Sequence, residues 1–306
     1  MKSIKTGFIF LYLFGSISLL ANHCLEFDGS NDYVILTDLN LDGNFTIEAW
    51  IYLDNYTDNY RSIISKHTQD GSGNDNCEFN LQVQKGSGNL NYFMGNGSSP
   101  GDYGVILNGN NDIDDLDIDI NDWYHVAITI EGSTCKMYLD GTLTDQDTFS
   151  GTRQTGDLPI QIGRYNNGTG GTVQFWDGKI DEIRIWNIVR TQTQIQNNMD
   201  NELNGNEPGL LAYYKMDEGS GTSLTDNSVN SNTGTINGAS WVVSDAPSPI
   251  SLISFDPIYN AGRVELRWIT ESETNNARFL IYRDHDIIAS VRGNGTTSEP
   301  HTYEYL

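Results

Sequence analysis

Short runs in which apolar and polar residues alternate dominate this chain. Tyr33–Leu36, Phe45–Leu53, Phe79–Val83, Trp123–Ile130, Lys136–Leu139, Ile160–Gly163 and Ile180–Trp186 all show the pattern, and each is bounded by Gly, Asn, Asp or Ser. A period of two sends successive side chains to opposite faces, so these runs predict half-buried strands joined by turns. Asp140-Gly141 predicts a hairpin turn, because Gly tolerates positive φ. A single helix is predicted over Gln192–Leu203, with Thr191 as its N-cap. Many short strands and so little helix predict an all-β fold, an antiparallel sandwich or barrel.

The pattern also marks boundaries. Lys2 and Lys5 precede an apolar stretch, Phe8–Leu20, that is too short to span a bilayer as a stable helix. Residues 1–21 therefore read as a signal peptide cleaved after Ala21, which predicts a secreted, extracellular or cell-surface protein with no membrane insertion after cleavage. Residues 22–246 form the main domain. Within Ala246-Pro247-Ser248-Pro249 two prolines oppose strand pairing, and residues 247–250 read as a linker. Alternation resumes at Ser251–Phe255, Arg263–Ile269, Arg278–Arg283 and Ile287–Val291. Residues 251–306 are short of the ~100 that an immunoglobulin-like sandwich takes, so a partial β unit is expected there.

Composition narrows the function. The 306 residues include 41 Asp and Glu against 17 Lys and Arg, a formal charge of −24. Such a surface repels nucleic acid and anionic lipid, whose binding needs clustered cations. It suits a soluble exported protein and attracts divalent cations. Three cysteines cannot all pair within one chain. Cys77 alternates with Phe79, Leu81 and Val83, and Cys135 with Met137 and Leu139, so both are expected in a core as small hydrophobes. No Cys-x-x-Cys motif is present to hold zinc.

Several runs resemble one family in order. Leu25-Glu26-Phe27-Asp28-Gly29-Ser30-Asn31-Asp32-Tyr33-Val34 is similar to the opening strand and turn of laminin-G-like jelly rolls, and Phe45–Ile51 to their next core strand. Trp123–Ala127 and Met137–Gly141 resemble the central hairpin, and Gly178–Asn187 the late strand. The resemblance spans most of residues 24–245 and implies an antiparallel jelly-roll β-sandwich, the architecture of the concanavalin A-like lectins and glucanases. Gly209–Gly219 with Thr235–Trp241 resembles a segment that often precedes the first strand in related chains. Here it comes last, and it is expected to close the sandwich with Tyr213–Met216 beside the first strand. Trp268–Ala277 resembles a fibronectin-III-like module of type IX secreted bacterial proteins.

Candidate chemistry follows. Glucanases of this architecture carry a Glu-x-Asp-x-x-Glu strand that sets two carboxylates on one face. This chain has none, Asp181 and Glu182 are adjacent and point to opposite faces, and no nucleophile elbow exists, so no enzyme is expected. Asp115, Asp117 and Asp119 alternate with Leu116, Ile118 and Ile120, an acidic face that is either solvated or bridged by Ca²⁺. By resemblance to laminarinases, Glu26 or Asp28 together with Asp181 would share a structural Ca²⁺; the alternative is a hydrogen-bonded turn anchor. Asp181 shares strand parity with Ile183 and Ile185 and is expected to face inward at a strand end. Pentraxin Ca²⁺ ligands fall where this chain has Arg164-Tyr165-Asn166-Asn167, which lacks carboxylates, so that function is not carried over.

Sugar binding calls for an aromatic platform beside amides and carboxylates. Tyr56, Tyr60, Tyr103 and Tyr165 are the stacking candidates, with Asn59, Asp102 and Asn166 for hydroxyls, whereas Trp50, Trp123 and Trp186 read as core. The expected function is recognition or adhesion outside the cell, binding a glycan or a cell-surface protein. The alternatives are a structural repeat of a larger adhesin and a glycoside hydrolase, since one architecture hosts all three.

Overall fold

The computed structural model describes residues 22–56, 60–67, 77–95, 103–107, 118–149, 151–153, 155–156, 158–165, 173–244, 246, 251–260, 263–283, 286–297 and 300–305. The predicted signal peptide and linker lie outside them. Among the described residues no helix is long and apolar enough to cross a membrane.

The chain forms an antiparallel jelly-roll sandwich. The first sheet contains β1 (His23–Asp28), β3 (Phe45–Leu53), β8 (Trp123–Glu131), β9 (Thr134–Leu139), β10 (Thr142–Thr148), β14 (Asp177–Trp186), β15 (Leu210–Tyr214) and β18 (Ser240–Val243). Its order is β10-β9-β8-β3-β14-β1-β18, with β15 also on β14. The second contains β2 (Tyr33–Leu36), β4 (Arg61–His67), β5 (Cys77–Val83), β6 (Leu90–Gly95), β7 (Tyr103–Leu107), β11 (Ile160–Ile162), β16 (Ser223–Leu224) and β17 (Gly234–Asn237), in the order β16-β17-β2-β11-β4-β5-β6-β7. A short ribbon of β12 (Arg164–Tyr165) and β13 (Gln174–Phe175) lies beside the second sheet.

Alternation explains the core. Phe45, Ile47, Ala49, Ile51 and Leu53 of β3 meet Phe79, Leu81 and Val83 of β5 in one apolar cluster, while Thr46, Glu48, Trp50 and Tyr52 take the outer face. The Asp140-Gly141 turn forms as expected: both residues have positive φ, 47° and 69°, the requirement of a two-residue hairpin whose twist matches its strands. The helix is shorter than predicted, α1 (Gln192–Asn198), with a full capping box between Thr191 and Gln194. It stops because the Arg184 guanidinium takes the carbonyls of Asn198 (2.6 Å) and Asn201 (2.8 Å), closing the chain around its C-terminal end.

Strand β14 organises the first sheet. Along one edge it pairs with β3. Along the other, its first half pairs with β1 (Leu25 opposite Ile180) and its second half with β15 (Ile183 opposite Tyr214). Tyr213 and Tyr214 therefore lie in line with the first strand, end to end, and not beside it. On its other edge β1 pairs with β18, which places Trp241 opposite Leu25. Segment 210–243 thus closes the sandwich by entering both sheets. Its turn is built on the buried Asp226 carboxylate, which accepts from the backbone N–H of Tyr213 (2.9 Å), Ser228 (2.8 Å) and Asn232 (2.7 Å).

A bulge in β14 overturns one expectation. Ile180 is opposite Ile51 and Asp181 opposite Trp50, but the next paired residue is Arg184, opposite Glu48. The extra residue resets parity: Glu182 has φ 52°, and Ile180, Ile183 and Ile185 all reach the core. Asp181 consequently shares the outer face with Trp50. It is not at a strand end and does not point between the sheets.

A further antiparallel sheet contains β19 (Ser251–Asn260), β20 (Arg263–Arg283), β21 (Asp286–Thr297) and β22 (His301–Tyr305). Among the described residues β19 pairs with β20 alone, an edge position that accommodates Pro257.

Gly178 tests the importance of β14. Its φ is 137°, and a Cβ there would stand 2.1 Å from the Tyr52 carbonyl oxygen. Gly178→Ala is expected to destabilise by at least roughly 1–3 kcal/mol, the scale of a strained backbone residue, read as a lower urea midpoint; an unchanged midpoint contradicts this account.

Candidate ligand-binding surface

The outer face of the first sheet is built in rows. One row runs His125, Trp50, Asp181 across β8, β3 and β14, and all three are buried although they face away from the core. They are covered by the chain after α1 and after β18. The Trp50 indole N–H donates to the Met199 carbonyl (3.0 Å), and the Ser244 hydroxyl to Asp181 Oδ2 (2.6 Å). The next row, two residues along each strand, is Trp123, Tyr52, Lys179, Glu26 and Ser240. Here the cover ends: the first four are half-buried and Ser240 is exposed. The Tyr52 and Trp123 rings pack 5.5 Å apart at 56°, and Lys179 Nζ sits 4.5 Å from the Tyr52 ring centre. Asp54 and Asp122 are exposed next to this row in sequence. Aromatic faces, an ammonium and carboxylates thus share one accessible end of the sheet.

The predicted site residues scatter. Tyr56 and Tyr60 lie, half-buried, on the connection between β3 and β4. Tyr56 packs on the main cluster, with its carbonyl accepting from the Gly86 N–H (3.0 Å). Tyr103 begins β7 opposite Gly95 and is a strand residue, not a loop one. Tyr165 is a correction: it is 2% exposed, its ring edge-on to Phe93 at 5.6 Å, and so offers no face to a sugar. Short β12 draws it under the sheet, where Cys77 and Phe93 surround it. Asn59, Asp102 and Asn166, and most of the acidic run 112–122, lie outside the described residues. Trp123, expected in the core, is half-buried, because its partner across the ladder is outward-facing Tyr52. The same parity, with Tyr52 out of step with Ile51 and Leu53, was the signal available for the pair.

Of the proposed Ca²⁺ ligands, Glu26 lies on the same outer face as Asp181, one row away, and Asp28 lies a further row along. Asp181 is 0% exposed, and its two oxygens accept from the Glu182 N–H (2.9 Å) and the Ser244 hydroxyl. Glu26 stands opposite Lys179, and exposed Asp28 stands opposite Asp177, four residues along β14 from Asp181 or ~13 Å. Asp177 in turn pairs with Arg61 at 3.1 Å. Among the described residues no three His, Cys, Asp or Glu side chains are grouped to hold a metal. Burial, with the nearby Glu182 and Asp217 carboxylates, holds the Asp181 carboxyl well above the usual range against the Ser244 hydrogen bond.

The outer face of the second sheet is polar but closed. Ser62 donates to Asn80 (2.7 Å), Asn80 to Gln82 (2.8 Å), Gln82 to Asn91 (2.9 Å) and Asn91 to the Leu107 carbonyl (3.1 Å), a chain of bonds across β4, β5, β6 and β7. The ribbon β12–β13 touches it through Ser65, whose hydroxyl donates to the Arg164 carbonyl (2.7 Å). His67 is held there within 2.9 Å of the Ser65 hydroxyl, and burial plus the Arg164 charge depress its pKa to about 3. These groups satisfy one another, so the ladder reads as an internal scaffold.

The chain belongs to the concanavalin A-like lectin/glucanases superfamily, whose laminin-G-type family model matches residues 28–196. Among solved structures it is similar to a candidate carbohydrate-binding protein from Bacteroides ovatus, with 23% identity and a TM-score of 0.56 over 76% of this chain and 62% of that one. It therefore spans less than two thirds of that protein's length. It is also similar to the SAP-like pentraxin of Limulus polyphemus, with 19% identity and a TM-score of 0.42 over 58% of this chain and 81% of that one. The CBM40 module of a Ruminococcus gnavus sialidase, bound to α2,3 sialyllactose, matches with 12% identity and a TM-score of 0.43 over 56% and 95%. At these identities the likeness is one of fold. No curated protein sequence matches the chain significantly.

His67 generates a pH prediction. Its folded pKa lies below its unfolded value of 6.5, so the unfolded chain binds the extra proton and stability falls as pH drops from about 6.5 toward about 3. His67→Gln is expected to remove up to about 1.4 kcal/mol per pH unit of that slope. Urea melts of both proteins at several pH values in that window measure it, and parallel slopes contradict the assignment.

Proposed function

We propose that this chain is a non-catalytic carbohydrate-recognition protein acting outside the cytoplasm, with the half-exposed Tyr52–Trp123 pair as its sugar platform. The observation that carries the reading is the row Trp123, Tyr52, Lys179, Glu26 at the uncovered end of the first sheet. A pyranose has an apolar face that packs on an aromatic ring and equatorial hydroxyls that reach flanking carboxylates and amines. Membership of a superfamily named for lectins and glucanases supports the same class, as does the carbohydrate-binding description of the Bacteroides ovatus structure. The signal-peptide pattern of residues 1–21 and the acidic balance support export and a glycan in place of nucleic acid. A shallow platform gives weak single-site affinity, so useful binding requires multivalent ligands.

Retention on immobilised neutral and acidic polysaccharides tests this. Trp123→Ala should weaken retention about tenfold or more, about 1.4 kcal/mol, while Trp123→Phe retains most of it and the circular dichroism of both matches wild type. Equal retention by wild type and Trp123→Ala excludes the platform. No retention of the wild type on any polysaccharide excludes glycan recognition itself.

A further inference from the structure

Lys66 on β4 is 1% exposed and holds its ammonium among three oxygens. Asp38 Oδ1, on the connection after β2, is 2.9 Å away; Glu78 Oε2, on β5, is 3.2 Å away; and the Leu39 carbonyl is 3.2 Å away. Glu78 is 3% exposed, whereas the Asp38 side chain is 34% exposed. An amine, a carboxyl and a second carboxyl thus meet from three segments, one of them open to water.

We propose that Lys66 and Asp38 condense to an intramolecular amide, with Glu78 as the proton carrier. Glu78 takes a proton from the Lys66 ammonium, and the amine adds to Cγ of Asp38. A second proton leaves the nitrogen through Glu78. Both protons end on one Asp38 oxygen, which departs as water. One C–N bond forms, one C–O bond breaks, nothing is oxidised, and Glu78 ends as it began. Three features favour the step. Contact within hydrogen-bond distance in a packed site removes the entropy cost of encounter. Burial, working against Lys66, raises Glu78 to about 7, where a carboxyl exchanges protons readily near neutrality. Condensation removes the charge from the buried Lys66 nitrogen, costly to keep in a packed site, and leaves a neutral amide. The exposed side of Asp38 gives the water an exit. The bond would tie the chain after β2 to the centre of the second sheet.

Intact-mass measurement of the purified full chain beside its Lys66→Arg variant tests this. The expected result is a wild type lighter by one water molecule than its sequence requires, a Lys66→Arg protein of full sequence mass, and a branched proteolytic peptide joining Asp38 to Lys66. Glu78→Gln should restore the missing water in most molecules. A wild type of full sequence mass overturns the proposal, as does a water loss mapped to any other pair or to a cyclised aspartyl residue.

Discussion

The structure depends on a single residue's worth of extra backbone in β14. A strand with strict alternation would carry Ile180, Asp181, Glu182, Ile183, Arg184 and Ile185 with some isoleucine or charge on the wrong face. The bulge at Glu182 lets Ile180, Ile183 and Ile185 all enter the core, while Asp181 and Arg184 turn outward. Because β3 pairs along one edge of this strand and β1 and β15 share the other, the bulge also sets the register at which the opening and closing segments of the domain meet.

What turns outward is then largely re-buried, and this gives the outer face its character. Arg184 ties down the end of α1 and bonds Glu182 at 2.7 Å, and Glu182 accepts from the Tyr213 hydroxyl at 2.7 and 2.9 Å. Glu48 and His125, 3.6 Å apart, sit beneath the same cover. Burial raises the carboxyl of Glu48, opposed by Arg184 and Arg190, and drops His125 to about 3. Among the described residues neither Glu48 nor His125 hydrogen-bonds that cover, which is held instead by Arg184, Trp50 and Asp181. The cover ends one row short of the sheet's edge, and Tyr52 and Trp123 are what it leaves accessible. The covered and the accessible rows of this face are therefore consequences of the same packing.

Much of this was legible in the residues. Alternation in Phe45–Leu53, Phe79–Val83 and Trp123–Ile130 predicted the central strands, and the Thr191 cap predicted the start of α1. Superfamily resemblance supplied the jelly roll and the closing role of Gly209–Gly219 with Thr235–Trp241. The bulge was written in the three-residue step from Ile180 to Ile183, yet parity counted back from Ile185 sent Asp181 inward. Tyr165 looked like a loop residue because a two-residue strand has no period to detect. Trp123 looked like core because aromatic content alone does not reveal which ladder partner a side chain shares. The partner of Asp181 was hidden for a long-range reason: Ser244, which donates to it, is 63 residues away in sequence.

The central claim is that the extra residue at Glu182 puts each β14 side chain on its proper face. Urea unfolding of Glu182→Gly beside Glu182→Val tests it most directly. Both variants lose the carboxylate, but Gly accepts the positive φ that the bulge requires and a β-branched side chain resists it, so Val favours regular pairing that would put isoleucines on the outer face. The account predicts a lower midpoint for Glu182→Val than for Glu182→Gly. Equal midpoints would contradict it.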